Sequence, residues 1–265
     1  MDTVSYHRPG SLAEAARLAA ADPDARVLAG GQSVLPAMKL GLLRPSAFID
    51  LAGLAELGGI RMQGGSLSIG AMVTHAAVAE SREIRAPLPA LSELAEGIGD
   101  AQVRNRGTIG GSVANSDPAA DYPAAVLALN ATIRTTLRTI AADAFFKGLF
   151  ETELKPGELI TAIEFPIPTR AAYAKFPQPA SRFALVGVFV AQTGGRVRVA
   201  VTGAAAHAFR LEALEEALSR SFVPEACGAV TVAAQGLNGD LHGSAEYRAS
   251  LIPVLARRAV QRAIG

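Results

Sequence analysis

The sequence predicts an α+β fold built in two parts, and three observations carry that reading. Helix and strand patterns alternate through the first half, a proline-containing stretch at residues 166–170 interrupts them, and beyond it two apolar strands flank Gly194-Gly195 before helical spacing takes over. The boundaries that follow are 1–168, with subdivisions of about 1–55 and 56–168, and 169–265.

Each element has a local reason. Ser11, with Glu14 three residues on, is a capping box for an alanine-rich helix that ends near Asp22-Pro23-Asp24. Residues 26–29 read as a short buried strand, which the segment Leu28-Ala29-Gly30-Gly31-Gln32-Ser33 leaves as a turn. Val34 to Lys39 begins a short helix, and residues 47–51 form the next strand. A new rhythm starts near Ile60, with a strand at 67–71, a short helix after Thr74, and a helix over 87–98 that holds Pro89 in its first turn. The segment Arg106-Gly107-Thr108-Ile109-Gly110-Gly111-Ser112 reads as a second glycine turn. A helix over 119–129, paired strands within 131–141 and a strand at 163–165 closed by Pro166 and Pro168 complete the first part. In the second, residues 184–190 and 197–201 form an antiparallel hairpin, and 209–220, 224–234 and 245–263 carry apolar residues at helical spacing, giving a sheet covered by helices.

Composition narrows the function classes. The 265 residues, half of them hydrophobic and none Trp, can bury one large or two medium cores. A net charge of +1 without long charged runs lacks the basic footprint of a nucleic-acid binder. The single Cys227 excludes an internal disulfide framework and cannot supply the thiolates of an iron–sulfur centre, which fits a reducing cytoplasm. The start, Met1 to Pro9, lacks the charged stretch and apolar core of a signal peptide, and no run reaches the ~18 apolar residues of a membrane span.

Both glycine segments place paired glycines beside small hydroxyl residues, which lets backbone N–H groups turn towards an anion without Cβ interference. An isolated Gly-Gly is more often a plain turn between strand and helix. Gln32 and Ser33 add hydrogen-bonding groups at the mouth of a helix, where the dipole favours a pyrophosphate, although the spacing is neither the dinucleotide fingerprint nor a Walker loop. Asp117, before Pro118, reads as a helix N-cap. Asp121 has two readings, a carboxylate for ribose or ribityl hydroxyls and a charge favoured by a helix N-terminus. His7, His75, His207 and His242 lie in no metal-ligand spacing, Arg104 and Arg106 could neutralise phosphate but read more readily as solvated loop residues, and no base is positioned beside Cys227. No acid–base dyad or nucleophile triad is visible.

Longer stretches carry a resemblance. Tyr6-His7-Arg8-Pro9, the run from Leu28 to Lys39, the run from Ile98 to Ser112, Asp117 to Ala124, Phe145-Phe146, Glu158 to Thr161, Lys175-Phe176, Pro179 to Ala184 and Ser244 to Arg248 occur in order along most of the chain. In these the sequence resembles the medium, FAD-binding subunits of the molybdenum hydroxylases, the carbon monoxide dehydrogenase and xanthine dehydrogenase group. The resemblance implies a two-part FAD domain of the vanillyl-alcohol-oxidase (PCMH) type and a smaller α+β C-terminal domain. It implies that Leu28, Ala29, Gly30, Gly31, Gln32, Ser33 and Val34, with Thr108, Ile109, Gly110, Gly111 and Ser112, hold the FAD pyrophosphate by backbone N–H groups and hydroxyls. By the same resemblance Asp121 binds the hydroxyl-rich part of the cofactor, Ile98 and Ile160 line apolar walls, Lys175 sits near the flavin, and Phe183 stacks on or shields the isoalloxazine.

Three positions depart from the pattern: Gln32 stands where some carbon monoxide dehydrogenases have His, Ser112 where Asn is frequent, and Arg182 where an acidic residue is frequent. The implied function is electron transfer. A large partner with molybdenum cofactor hydroxylates the substrate, a small iron–sulfur partner relays single electrons, and the FAD of this chain passes pairs to an acceptor, in a dimer of heterotrimers. Molybdenum cofactor and clusters belong to the partners alone, and this chain needs no catalytic side chain. A self-contained FAD oxidase or reductase, and a non-catalytic assembly module whose glycines are only turns, are the other readings of the residues.

Overall fold

A computed structural model describes residues 4–265; Met1, Asp2 and Thr3, with which the reading of the N-terminus begins, lie outside the described residues. Strand β1 (Ser5–His7), helix α1 (Leu12–Ala21), β2 (Arg26–Leu28), α2 (Val34–Lys39) and β3 (Ala47–Asp50) make a small parallel sheet of order β1-β3-β2. The Ser11 hydroxyl caps α1 by accepting from the Glu14 N–H, while the Glu14 carboxylate accepts from Gly10, one residue before the position a capping box uses. Strand β2 is open where a buried strand was expected: it is an edge strand, and Val27 is 36% exposed.

The next unit begins with β4 (Ile60–Gln63) and β5 (Ser66–Gly70) and continues through six short helices. They are α3 (His75–Glu80), α4 (Arg82–Arg85), α5 (Pro89–Glu96), α6 (Ala101–Arg106), α7 (Ile109–Asn115) and α8 (Tyr122–Ala128). Then come β6 (Thr132–Thr135), β7 (Thr139–Ala141), α9 (Ala142–Phe145), the small hairpin β8 (Phe146–Gly148) and β9 (Glu151–Thr152), and β10 (Ile160–Pro166). Strands β4, β5, β10, β6 and β7, in that spatial order, form an antiparallel sheet.

Several helices differ from expectation. The helix placed at 87–98 starts at Pro89, which takes the first helical position because it has no N–H for an interior hydrogen bond. The second glycine turn is a helix, α7, capped by Thr108. Asp117 closes a turn by accepting from the Ala119 N–H at 2.9 Å instead of capping a helix, so α8 begins only at Tyr122. Arg104 and Arg106 lie in the last turn of α6 and not in a loop.

Only Ile167, Pro168 and Thr169 separate β10 from β11 (Arg170–Pro177). Strand β11 joins β12 (Ala184–Thr193), β13 (Arg196–Thr202) and β14 (Phe209–Arg210) in a second antiparallel sheet, followed by α10 (Glu212–Arg220) and α11 (Ala245–Ile264). The β12–β13 turn forms as expected, with Gly194 and Gly195 at φ +54 and +85. The segment 209–220 opens as strand and becomes helix only at Glu212, and 224–234 shortens to a 3₁₀ stretch, Pro224–Ala229.

This sheet is covered on both faces, and alternation along the strands sorts its residues. Val186, Val188, Val190 and Val199 pack on α10 and α11 through Leu214, Ile252 and Leu255. Tyr173, Phe189, Ala191 and Ala200 face the other way, into the core of Leu91, Leu94, Val126, Ile133 and Phe165. The two sheets are thereby joined through one continuous core.

Candidate functional site

The parallel sheet and the helix cluster bring the two glycine segments into contact. A Cβ built on Gly30 would lie 2.0 Å from the Arg106 carbonyl oxygen and 2.8 Å from Gly107 Cα, and one on Gly111 would come within 3.6 Å of Ala29 Cβ. Only glycine permits the first approach. Gly110 is equally confined, since its Cβ would meet that of Ala71 at 2.5 Å. Gly31, at φ +73, turns the chain between β2 and α2.

The segments differ in what they leave unbonded. Among the described residues the N–H groups of Gly30, Gly31, Gln32 and Ser33 make no hydrogen bond. In the second segment Ile109 donates to Val73 O at 3.0 Å, Gly110 to Ala71 O at 2.9 Å, Gly111 to the Thr108 hydroxyl at 3.1 Å and Ser112 to Thr108 O at 3.0 Å. Four adjacent free amides therefore lie on the first wall, and the second offers packing surface, the Thr108 N–H and the Ser112 hydroxyl.

Asp121 and Lys175 come together from different sheets' surroundings. Asp121, at the start of α8, is 4% exposed; it accepts from the Tyr173 hydroxyl at 2.5 Å and lies 3.0 Å from Lys175 Nζ. Burial pushes its carboxyl above the usual range, against the opposing pull of the Lys175 ammonium and the Tyr173 hydrogen bond. Lys175 also donates to Gly97 O at 2.9 Å and Arg182 O at 3.0 Å. Arg104 donates to Ile98 O and Gly99 O, and Arg182 reaches Gly99 O at 3.2 Å. The loop that carries Ile98 is thus held by three cations on its carbonyls. Ile98 is half-buried, Ile160 is buried at the start of β10, and Phe183 stands 49% exposed at the end of the 178–183 turn.

Residues 2–168 match the family described as the FAD binding domain in molybdopterin dehydrogenase, and residues 171–263 the CO dehydrogenase flavoprotein C-terminal domain. The chain belongs to the FAD-binding medium subunits of the molybdenum hydroxylases. This medium subunit is 36% identical over 277 residues to the nicotine 6-hydroxylase medium subunit of Paenarthrobacter nicotinovorans, across 99% of this chain and 98% of the relative. It is 37% identical over 278 residues to the carbon monoxide dehydrogenase medium chain of Afipia carboxidovorans, across 98% and 96%. Among solved structures it superposes on the reconstituted CO dehydrogenase from Oligotropha carboxidovorans with a TM-score of 0.91 at 35% identity, covering 98% of this chain and 97% of that one. Quinoline 2-oxidoreductase from Pseudomonas putida 86 gives 0.88 at 33%, covering 98% and 96%.

The medium subunit holds one polar pair that no motif announced. His75, first residue of α3, is buried under Gly107, whose Cβ would sit 2.5 Å from its Nε2, and its ring lies 5.3 Å from that of Tyr122. Its Nδ1 and the Tyr122 hydroxyl find no partner among the described residues. Burial, aided by the charge of Arg104, pulls the imidazole pKa from 6.5 down to about 4, so it is neutral at pH 7. Tyr173 was also missed. Only the strand β11 gives its signal, because residues two apart on a strand share a face and Lys175 is its i+2 neighbour. Among the described residues no group of three or more His, Cys, Asp or Glu could hold a metal ion, and burial raises the Cys227 thiol to about 11. No helix among them is long and apolar enough to cross a membrane.

Proposed function

We propose that this chain is the electron-transfer flavoprotein of a molybdenum hydroxylase complex, taking electrons from an iron–sulfur partner and giving them to an external acceptor. Bound FAD supplies the chemistry, storage and release of electron pairs. The observation that supports the site is the contact between the glycine segments, which leaves four adjacent amides, Gly30 to Ser33, without partners. Unpaired N–H groups in a turn suit a pyrophosphate, so the residues present fit the cofactor.

In this reading Leu28 to Val34 hold the pyrophosphate by backbone donors and the Ser33 hydroxyl, with Thr108 to Ser112 as the opposite wall. Asp121 takes hydroxyls of the cofactor with the acceptor capacity that Tyr173 and Lys175 leave. Ile98 and Ile160 line apolar walls, and Lys175 and Phe183 stand on the flavin side. We assign residues 1–168 to the FAD domain and 169–265 to the C-terminal domain. The partners are a large molybdenum-cofactor subunit, which holds the substrate, and a small iron–sulfur subunit, together a dimer of heterotrimers in the cytoplasm.

The test is to purify the chain with whatever accompanies it, record its flavin spectrum, and compare turnover of the complex before and after this subunit is stripped of FAD. Electron delivery to the acceptor should stop on stripping and return on adding FAD. Unchanged turnover would sink the proposal.

A further inference from the structure

Asp121 belongs to the FAD domain, yet both groups that meet its carboxylate come from β11 of the C-terminal domain. Tyr173 and Lys175 are two apart on that strand and project to one side. The Tyr173 ring is buried and stacked beside Phe189, with centroids 6.0 Å apart, so it has little freedom to swing away. Its hydroxyl reaches Asp121 only because the adjacent strand offers no side chain at one position: a Cβ on Gly187 would lie 2.2 Å from the Tyr173 hydroxyl oxygen and 3.0 Å from Thr202 Cγ2. Gly187 pairs with Lys175 across β11 and β12, so the gap and the cation occupy one rung of the ladder.

The two remaining hydrogen bonds of Lys175 extend the arrangement, since they fix Gly97 O, next in chain to Ile98, and Arg182 O, next in chain to Phe183. A buried carboxylate deprived of these partners either takes a proton or turns towards water. We infer that Tyr173, given room by Gly187, is a positioning residue of the cofactor site, and that with Lys175 it lets the C-terminal domain set how tightly the FAD domain holds FAD. The inference rests on the proposed cofactor reading and adds Tyr173 and Gly187, which touch no cofactor in it.

The experiment is titration of the full-length chain, cleared of flavin, with FAD, followed by flavin fluorescence alongside apo-protein melting. Tyr173→Phe and Gly187→Ala should each weaken FAD binding by up to about tenfold, the cost of re-ordering a carboxylate that the bond holds in place before the cofactor arrives. The double variant should lose no more than the worse single one, because both changes break one bond. Lys175→Met should weaken binding and Lys175→Arg should restore part of it. Asp143→Ala provides the comparison, since Asp143 joins the same two domains through Arg198 and Arg210 and pairs with no residue of the glycine segments. It should lower the melting temperature and leave FAD affinity within about twofold. Unaltered affinity in both Tyr173→Phe and Gly187→Ala, with the wild-type chain binding FAD, overturns this inference alone. So does an Asp143→Ala affinity loss as large as theirs at equal loss of melting temperature. No FAD uptake by the wild-type chain overturns the cofactor reading and this inference with it.

Discussion

Gly30 and Arg106 stand so close that a Cβ on the glycine would lie 2.0 Å from the arginine's carbonyl oxygen. The obstacle is backbone on a capped helix, which cannot swing aside as a side chain would. Gly30→Ala should therefore part the two segments, costing about 1–3 kcal/mol as overpacking and leaving the purified protein largely without flavin. The flavin-to-protein absorbance ratio reads this directly; full occupancy in the variant would contradict the assignment.

Gly31→Val and Gly110→Val probe the two walls separately. At Gly31 a β-branched residue must adopt φ +73 and meet Leu35, and at Gly110 it collides with Ala71. Both variants should fail to retain FAD, and Gly110→Val should also lower the melting temperature because its collision lies in the core. Stoichiometric FAD in both would refute the site.

His75 predicts an acid-side slope in stability. Its pKa falls from 6.5 to about 4 in the folded protein, so the unfolded chain binds the proton first as pH drops. The stability it protects is complete above pH 6.5, declines between 6.5 and about 4, and then levels, a loss of about 3 kcal/mol. Denaturant melts of wild type and His75→Gln between pH 6.5 and 4.5 should show the steeper slope in the wild type.

Glu158 acts lower on the scale. Its side chain is fully buried, which opposes ionisation, but Arg138, the Lys155 N–H and the Thr135 hydroxyl outweigh burial and hold the pKa at about 2 instead of 4.5. A depressed carboxyl stabilises above its unfolded pKa, so its contribution of about 3 kcal/mol is present at pH 7 and is lost as pH falls from 4.5 towards 2. Glu158→Gln should be clearly less stable than wild type at pH 7, with the gap closing in acid.

Arg248 is a buried cation that ties α11 to the sheet, donating to Leu185 O at 2.6 Å, Gly203 O at 2.8 Å and Asp240 at 2.7 Å. Arg248→Leu orphans two carbonyls and should cost about 2–4 kcal/mol by denaturant midpoint. Asp240→Asn should cost far less, because Asp240 is 46% exposed and water replaces the lost partner.

How much of this was legible depended on length and locality. The 20-residue helix α11 and the Gly194-Gly195 hairpin are long or sharply punctuated, and the sequence patterns name them. Helices α4 and α6, of four and six residues, span too few turns for periodicity to show, and α7 was hidden by glycines that read as a turn. Strand β11 escaped because Ala171, Ala172 and Ala174 blur its alternation, and with it went Tyr173. Asp121 was singled out, but its partners are 52 and 54 residues away, a pairing that only tertiary structure creates. That the second segment spends its amides on Val73 and Ala71 was likewise invisible, being a property of the neighbouring loop.

The same sequence separation has a consequence for biosynthesis. A ribosome delivers Asp121 well before Tyr173 and Lys175, and domains fold as units from the N-terminus. The nascent FAD domain therefore emerges with an unmatched carboxylate that water must solvate. Its burial waits until β11 has left the exit tunnel and docked, which makes that docking the step that completes the domain synthesised before it.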